Sequence, residues 1–320
     1  MLEILNLVLP FFGLILIGYV SGKLAKAPDS GLAWMNFFII YVALPALFFR
    51  ILAKTPFEQL AQARFVLATT IATALVFAIA FAIARTTRAG TVREATIAGL
   101  AGAYGNIGYM GPGLALAALG QAAAVPVALI FCFDTLLLFS LVPTLMAFGG
   151  PAKVGFFATI ADVLKRILLH PLLVSAGLGI LAAALDWQPP LAAERLLEFL
   201  QNSAAPTALF TLGVTIALRP LQRLPRALPL LTFVKLIAHP LLAYGLLGLL
   251  GPFPAGWAET ALLMAALPPA LNVFVFARQY ETWIEPASTA VLIGTLASVV
   301  TLTLALWLIK SHTLAEYVLH

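Results

Sequence analysis

The sequence predicts an all-α membrane protein with ten transmembrane helices arranged as two inverted five-helix repeats, and three observations support this fold class. The 320-residue chain is 62% apolar and 10% charged, whereas soluble domains have about 45–50% apolar and about 25% charged residues. Uncharged runs long enough to cross a bilayer recur along the whole chain. Several prolines and glycines coincide when the sequence is shifted by half its length. A soluble fold is excluded, because too little polar surface is available to cover a compact body.

Cutting the chain at its charged residues gives ten uncharged runs, most of them near the roughly 20 residues that a helix needs to cross the hydrocarbon core, and we assign ten spans to them. The uncharged runs are 4–22, 30–49, 65–84, 95–133, 135–152, 167–185, 199–218, 236–258, 260–277 and 286–309. The run 95–133 supplies the fourth span and the first part of the fifth, which Asp134 interrupts. The first run lacks a basic leader and a cleavage signal, so it predicts a retained helix. The short connections leave no room for a soluble catalytic domain.

Lysine and arginine are distributed unequally between the two sides of the predicted bundle. Twelve of the 18 lie in connections that follow odd-numbered spans, and five lie on the opposite side. By the positive-inside rule the odd-numbered connections face the cytoplasm, which puts both termini outside. The net charge of +5 therefore reflects topology, and no nucleic-acid partner is expected.

A weak internal repeat divides the chain near its middle. A shift of 161 residues overlays Gly18 on Gly179 and Pro45 on Pro206. Five spans per repeat is an odd number, so the second repeat must be inverted relative to the first, which is the plan of many secondary transporters. The predicted units are a first repeat, 1–148, a cytoplasmic connection, 149–166, and a second repeat, 167–320.

The fourth span carries the strongest local signal, because glycine recurs at every third residue from Gly99 to Gly111 and Pro112 follows. Glycine weakens a helix and proline removes a backbone donor. In hydrocarbon each freed backbone group must find a partner inside the protein or in a water-filled cavity. We therefore expect this helix to unwind from about Asn106 to Pro112. The alternative is that the glycines serve close packing between helices.

The ninth span is also interrupted, by the consecutive prolines Pro268 and Pro269. Such a pair requires extended backbone and suits the start of a helix. Interruptions in corresponding spans of two repeats indicate a transporter binding site. Each break presents a half-helix N-terminus with about +0.5 of an elementary charge, so a converging pair attracts an anion. Asn106 and Asn272 lie at the breaks and can bind a carboxylate without adding charge; the alternative is that the prolines only kink a helix.

At these breaks the chain resembles the auxin efflux carrier family, whose bacterial members include malonate- and malate-type carriers. The resemblance rests on Asn106–Pro112 (NIGYMGP) and Pro269–Tyr280 (PALNVFVFARQY). Leu9–Gly13 (LPFFG) and Ala43–Phe49 (ALPALFF) support it. It covers essentially the whole chain, and the two break motifs are its specific part.

The resemblance implies crossed, broken helices 4 and 9, as in sodium/proton antiporter-like or bile-acid-symporter-like folds, with substrate bound at the crossing. It implies a scaffold of helices 1, 2, 6 and 7, a transport domain of helices 3–5 and 8–10, an elevator mechanism and a homodimer. The long cytoplasmic connection of the plant carriers is missing, since 149–166 is short. The candidate substrate-binding residues are Gly105, Asn106, Tyr109, Pro112, Pro268, Pro269 and Asn272.

Three ionisable residues within the predicted spans are candidates for coupling to H+ or Na+. Asp134 lies near the midplane, where a carboxylate costs about 2.5–3.5 kcal/mol, so it must face the bundle interior, either as a relay or as a protonated structural acid. Lys235 and His239 share one face of the eighth span. We expect Lys235 to extend towards the cytoplasmic headgroups and His239 to be structural. His170 is expected at the membrane interface.

Other function classes lack their sequence signatures. The chain has no zinc, magnesium or nucleophile motif, so we expect neither an enzyme nor a bound cofactor or metal. A membrane sensor without transport activity would need a soluble output domain. A sodium- or proton-coupled symporter or antiporter of the same superfamily is an alternative, although acidic residues would be expected at its crossing. We therefore expect a secondary transporter for small mono- or dicarboxylates in the inner membrane of a bacterium; the carboxylate, direction and coupling stay open.

Overall fold

The computed structural model describes residues 2–25, 29–56, 62–87, 90–149, 161, 164–165, 168–218, 226–254 and 256–311. Within these ranges the chain is helical and forms no strand, apart from an isolated antiparallel bridge between Gly105 and Pro269. The all-α class is thus confirmed for this part of the chain. Most of the predicted cytoplasmic connection, 149–166, lies outside the described residues.

Fourteen α-helices follow one another in the described ranges. They are α1 Leu2–Ala25, α2 Asp29–Phe38, α3 Leu44–Ala53, α4 Ala63–Thr86, α5 Val92–Ala103, α6 Gly111–Leu119, α7 Ala124–Phe148, α8 Pro171–Ala184, α9 Leu191–Ala217, α10 Leu228–Phe233, α11 His239–Leu250, α12 Trp257–Ala265, α13 Asn272–Gln279 and α14 Ile284–Lys310. Two π-helical turns, Ile39–Ala43 and Val234–Ala238, join α2 to α3 and α10 to α11. A 3₁₀ turn, Gly120–Ala123, joins α6 to α7.

Six helical stretches among the described residues are long and apolar enough to cross a membrane. They are Ile4–Ala25, Gly31–Ala53, Ala63–Thr86, Gly111–Phe148, Leu228–Leu250 and Ile284–Lys310. The shorter helix α8 is apolar as well. The predicted fourth and ninth spans are each divided, into α5 and α6 and into α12 and α13. The number of ten spans and the inverted repeat therefore stay predictions.

The helices pack more extensively within two groups than between them. In the first group α1 packs along α9, and α3 packs against α8 and α9. In the second group α4 packs against α5 and α11, α7 packs against α4, α5 and α12, and α13 packs against α14. The predicted fourth and ninth spans both belong to the second group.

Two close glycine contacts lie inside the first group, and the 161-residue shift relates one to the other. A Cβ atom on Gly18 of α1 would overlap the carbonyl group of Phe210 in α9. A Cβ on Gly179 of α8 would lie 2.8 Å from the carbonyl oxygen of Phe49 in α3. The 161-residue shift carries Gly18 onto Gly179 and Phe49 onto Phe210. The two glycine–phenylalanine contacts are therefore made by residues that the same shift pairs.

Both interpretations of the glycine run apply, to different residues. Gly99 and Gly102 lie inside α5, where added Cβ atoms would press on Phe77 and Ala80 of α4. These two glycines therefore serve close helix packing. Gly105 and Gly108 lie in the interruption between α5 and α6, where the backbone leaves the helix.

Candidate functional site

The two interrupted helices cross at their unwound segments and bond to each other there. The Asn106 N–H donates to the carbonyl of Pro268 at 2.7 Å, and the Ala270 N–H donates to the carbonyl of Tyr104 at 2.9 Å. These bonds flank the bridge between Gly105 and Pro269. Backbone that has left a helix in the membrane interior must be satisfied within the protein. At the crossing, each break supplies the partners that the other needs.

Residue types at the crossing explain why this geometry is possible. Pro268 and Pro269 have no N–H, so the extended segment leaves no donor unpaired at either position. Pro269 also packs against Gly294 of α14, where an added Cβ would overlap the proline ring. A Cβ on Gly105 would lie 3.4 Å from Lys235 Nζ and from the Met264 carbonyl oxygen. The break in the first helix begins at Tyr104, earlier than predicted, and Pro112 lies within α6.

Asn106 stabilises the first break with its backbone carbonyl and its side-chain oxygen, whereas its side-chain nitrogen has no described hydrogen-bond partner. Its backbone carbonyl accepts from the N–H groups of Met110 and Gly111 at 3.1 and 3.0 Å, and its Oδ1 accepts from the Tyr109 N–H at 3.3 Å. The residue is 2% exposed, and its Nδ2 has no hydrogen-bond partner among the described residues. A buried polar atom without a partner is uncommon in native proteins. It therefore marks a position where a ligand could bind.

Asn272 lies at the second break as the first residue of α13. Its Nδ2 donates to the hydroxyl of Tyr104 at 3.4 Å, which links the two breaks through side chains. The helix α6 begins at the first break and α13 begins at the second. Each unwound segment therefore leads into a half-helix N-terminus with partial positive charge.

A cavity of about 400 Å³ opens beside the crossing. Among its lining residues are three of the predicted site residues, Asn106, Tyr109 and Asn272, together with Tyr104. No Asp, Glu, Lys or Arg belongs to its described lining. An apolar cavity with a few convergent polar groups is typical of a small-molecule site.

The remaining predicted site residues have other positions. Pro112 lines a second cavity, of about 210 Å³, which Gly108 and Tyr109 also border. Gly105, Pro268 and Pro269 form the backbone of the crossing and line neither cavity. Tyr109 thus borders both cavities.

The three ionisable candidates belong to one buried chain of hydrogen bonds. Thr73 of α4 donates from its hydroxyl to Asp134 Oδ2 at 2.9 Å and lies 3.4 Å from His239 Nε2. Lys235 Nζ lies 3.1 Å from His239 Nδ1. If Lys235 donates to Nδ1, the imidazole proton sits on Nε2 and can donate to Thr73, so each bond has a donor. Asp134 is 5% exposed, as expected for an acid facing the interior.

The expectation that Lys235 extends to the headgroups is wrong. Its side chain is fully buried, and Nζ donates to the carbonyl oxygen of Ala265 at 2.6 Å. Ala265 ends α12, and the residue four positions later is Pro269, which has no N–H to complete the helical bond. Lys235 supplies the missing donor, and a cation is favourable at a helix C-terminus. The ammonium group therefore lies directly behind the crossing.

The π-helical turns also border the site, and sequence reasoning missed them. Each turn is followed by a proline, Pro45 or Pro240, in the second position of the next helix. Because proline cannot donate to the carbonyl four residues earlier, the turn before it widens; His239 N–H, for example, donates to Val234 O. The first turn contributes Ile40 to the cavity, and the second contains Lys235.

His170 is a second residue whose position the sequence did not reveal. It precedes α8 as its N-cap and lines the cavity, where its ring packs edge-on against Phe139 with centroids 5.2 Å apart. Its Nδ1 is buried and has no hydrogen-bond partner among the described residues. The following Pro171, which favours a helix start, was the available signal.

Comparisons with known proteins agree with this architecture. The family model described as "Membrane transport protein" matches residues 3–307. The chain is 50% identical over 314 residues to the "Putative malonate transporter" of Rhizobium meliloti (strain 1021), covering 98% of each sequence. It is 24% identical to an "Uncharacterized transporter" of Methanothermobacter thermautotrophicus, covering 93% of this chain and 95% of that one. It is 27% identical to the "Probable auxin efflux carrier component 1b" of Oryza sativa subsp. japonica, over 46% of this chain and 27% of that protein.

Proposed function

We propose that this chain, which belongs to the membrane transport protein family of the auxin efflux carriers, moves small organic anions across the cytoplasmic membrane by elevator-type alternating access. As a member of this family the chain is a multi-pass membrane transporter and not an enzyme. The substrate, the mechanism and the coupling are the proposed parts.

One observation carries the proposal of an anion. The Asn106 Nδ2 is buried without a described partner in the break that precedes α6, and Asn106 borders the 400 Å³ cavity, which the first residue of α13 also lines. An amide donor and a half-helix N-terminus on one cavity favour a carboxylate over a cation. Lys235, behind the crossing, adds a positive charge that the substrate need not contact.

The relative from Rhizobium meliloti suggests the first substrate to test. Its name states malonate, a three-carbon dicarboxylate, and the identity of 50% extends over nearly the whole of both chains. We propose small mono- and dicarboxylates as the substrate class, with malonate as the first candidate. A cavity of about 400 Å³ offers ample room for such a molecule and its water.

The two helix groups support the proposed movement. The first group, with α1, α3, α8 and α9, corresponds to the proposed scaffold, and the second group, which contains the crossing, corresponds to the proposed transport domain. In an elevator, the second group would carry the substrate past the first. The first cavity contains lining residues from both groups, such as Leu172 of α8 and Asn272 of α13, so the proposed movement would change its shape. A homodimer through the scaffold, termini outside, and location in a bacterial inner membrane belong to the same proposal.

Proton coupling is favoured over sodium coupling by the buried hydrogen-bond chain. Asp134, Thr73, His239 and Lys235 connect helices α4, α7 and α11 to the end of α12 at the crossing. A change of protonation at Asp134 would alter the charge balance with Lys235, with which it interacts electrostatically. Lys235 donates to the Ala265 carbonyl at the end of α12, so a change in this charge balance can influence substrate binding at the crossing.

Uptake into proteoliposomes tests the anion site. We expect Asn106→Ala and Asn272→Ala each to lower the initial rate of labelled malonate uptake at least tenfold, because a hydrogen bond to a charged group contributes about 1.5–3 kcal/mol. Asn6→Ala, at an exposed position of α1, is the matched control and should transport normally. A sodium gradient and a pH gradient applied separately would identify the coupling ion. Normal uptake by both folded site variants would refute the site.

A further inference from the structure

Two polar nitrogen atoms without described partners border the same cavity. One is Asn106 Nδ2, at the crossing; the other is His170 Nδ1, at the start of α8. Both atoms are buried from water, and buried polar groups in native proteins nearly always have a partner. A ligand with an acceptor at each end would satisfy both residues together.

His170 and Tyr104 of the crossing line the same cavity and contact the same aromatic ring. The rings of Tyr104 and His170 flank the same Phe139 ring, with centroids 6.0 and 5.2 Å from it. Tyr104 in turn bonds Asn272. A short dicarboxylate carries a hydrogen-bond acceptor at each end, which is what two separate donors on one cavity require. A monocarboxylate of the same size reaches one end only.

We propose that His170 determines substrate specificity by binding the second carboxylate of a short dicarboxylate whose first carboxylate is held at Asn106. The inference rests on the proposed function and extends it from organic anions in general to dicarboxylates. A neutral imidazole has one N–H donor, which suits a carboxylate oxygen without bringing a permanent charge into the membrane.

Other polar residues in the lining are less suited to this role. Gln279 is exposed, and 57% of Tyr41 is exposed, so water competes for their donors. The apolar residues that line the cavity with His170 include Phe139, which packs on its ring, and the buried Leu172. A hydrogen bond gains strength in such low-dielectric surroundings. Among the polar lining groups, the imidazole is therefore best suited to distinguish a dicarboxylate, which offers it a second carboxylate, from a monocarboxylate, which offers a methyl group in that place.

The test compares malonate and succinate with propionate as competitors of labelled malonate uptake in proteoliposomes. His170→Phe keeps a ring against Phe139 and removes both nitrogens, whereas His170→Gln keeps a donor. We expect His170→Phe to raise the malonate and succinate concentrations for half-inhibition at least tenfold and to change that of propionate less than twofold. His170→Gln should recover part of the preference. Asn106→Ala should weaken all three competitors.

The outcomes separate this inference from the proposed function. The role of His170 would be overturned if His170→Phe preferred dicarboxylates over propionate to within twofold of the parent. It would also be overturned if the variant lost affinity equally for all three competitors. If Asn106→Ala leaves the half-inhibition concentrations of all three competitors unchanged, the anion site proposed at Asn106 is wrong. The role of His170 is then judged from His170→Phe and His170→Gln alone. A parent protein that binds propionate as well as malonate would also contradict the inference.

Discussion

The Asn106 side chain stabilises the break through its oxygen, and in the proposed site its nitrogen is the atom that binds substrate. Its oxygen accepts from the Tyr109 N–H within the break, whereas its nitrogen has no described partner. This division explains why an amide suits the position. An aspartate would offer only acceptors and would place a negative charge beside the anion. A leucine would leave the Tyr109 N–H without its acceptor.

Asp134 and Lys235 illustrate how a buried charge is stabilised in a membrane protein. Each has a hydrogen-bond partner, Thr73 for the acid and Ala265 for the base, and the two side chains interact electrostatically. An asparagine at position 134 keeps the size of the acid and an acceptor for Thr73, so that variant is expected to fold. Lys235, bonded to the Ala265 carbonyl, links this chain of hydrogen bonds to the proposed substrate site.

Asp134→Asn tests whether this chain couples transport to protons. We expect the variant to fold and to lose most of the pH dependence of malonate uptake, because an amide cannot change its protonation state in this range. Thr73→Val should alter the profile as well, since it removes the link between Asp134 and His239. Thr215→Val is the control, because Thr215 is buried and, among the described residues, its hydroxyl bonds the carbonyl of Thr211 in its own helix. If the pH dependence of malonate uptake is unchanged in Asp134→Asn, Asp134 has a structural role and does not couple transport to protons.

The sequence indicated some of these residues and not others, for physical reasons. Asn106, Asn272 and Asp134 stand out because polar residues are costly in apolar spans. The position of Lys235 depends on a π-helical turn, which changes the face that a residue presents and cannot be read from a 3.6-residue period. The role of His170 depends on which side chains of other helices surround it. Contacts between residues that are far apart in the sequence cannot be predicted from the residue types around each of them.

At the level of helices, glycine positions set how closely the proposed scaffold packs. Gly18 and Gly179 allow α1 and α8 to touch the backbones of α9 and α3. Glycine was visible in the sequence at both positions, and the shift of 161 residues paired them. The sequence could not show that the partners are Phe210 and Phe49, because that requires the packing of the helices.

Alanine substitution tests these contacts with controls in the same helices. We expect Gly18→Ala and Gly179→Ala to lower the melting temperature in detergent, because overpacking against backbone costs about 1–3 kcal/mol. Gly13→Ala in α1 and Gly177→Ala in α8 have no atom within 4 Å of the added Cβ. They should be neutral or slightly stabilising, since alanine favours a helix by about 1 kcal/mol over glycine. Equal melting temperatures for all four variants would contradict the close backbone packing.

The interruptions were the part of the fold that the sequence indicated best. Proline and glycine act on the backbone directly, so their effect is local and visible in the sequence. The predicted start at Asn106 was two residues late, because α5 ends at Ala103 and Tyr104 already has extended backbone. The antiparallel bridge between the breaks was not predicted, since it joins segments about 160 residues apart.

At the scale of the whole molecule, the elevator proposal requires the two helix groups to slide past each other. Contacts between the groups should therefore exist in one state and be lost in another. Gly113 of α6 and Ala205 of α9 form such a contact, with an added Cβ on Gly113 2.8 Å from the Ala205 Cβ. Gly22 of α1 and Ala217 of α9 form a similar contact inside the first group, at 2.9 Å.

Cysteine cross-linking across these two contacts tests the sliding movement. In a Cys132→Ser background, we expect oxidation of the Gly113→Cys/Ala205→Cys pair to reduce malonate uptake at least tenfold, with recovery after reduction. The Gly22→Cys/Ala217→Cys pair should keep its uptake when oxidised, because both residues belong to one group. Full transport by the oxidised first pair, with the cross-link verified by mass spectrometry, would argue against relative movement of the groups.

The most direct test of the central claim is a crystal structure of the protein with bromomalonate, in which the anomalous signal of bromine locates the ligand. The claim is that an anion binds where two broken helices cross. We predict a bromine peak in the 400 Å³ cavity, with one carboxylate within hydrogen-bonding distance of Asn106 Nδ2 and near the starts of α6 and α13. A ligand bound away from the crossing, or continuous helices through 104–110 and 266–271, would contradict the account.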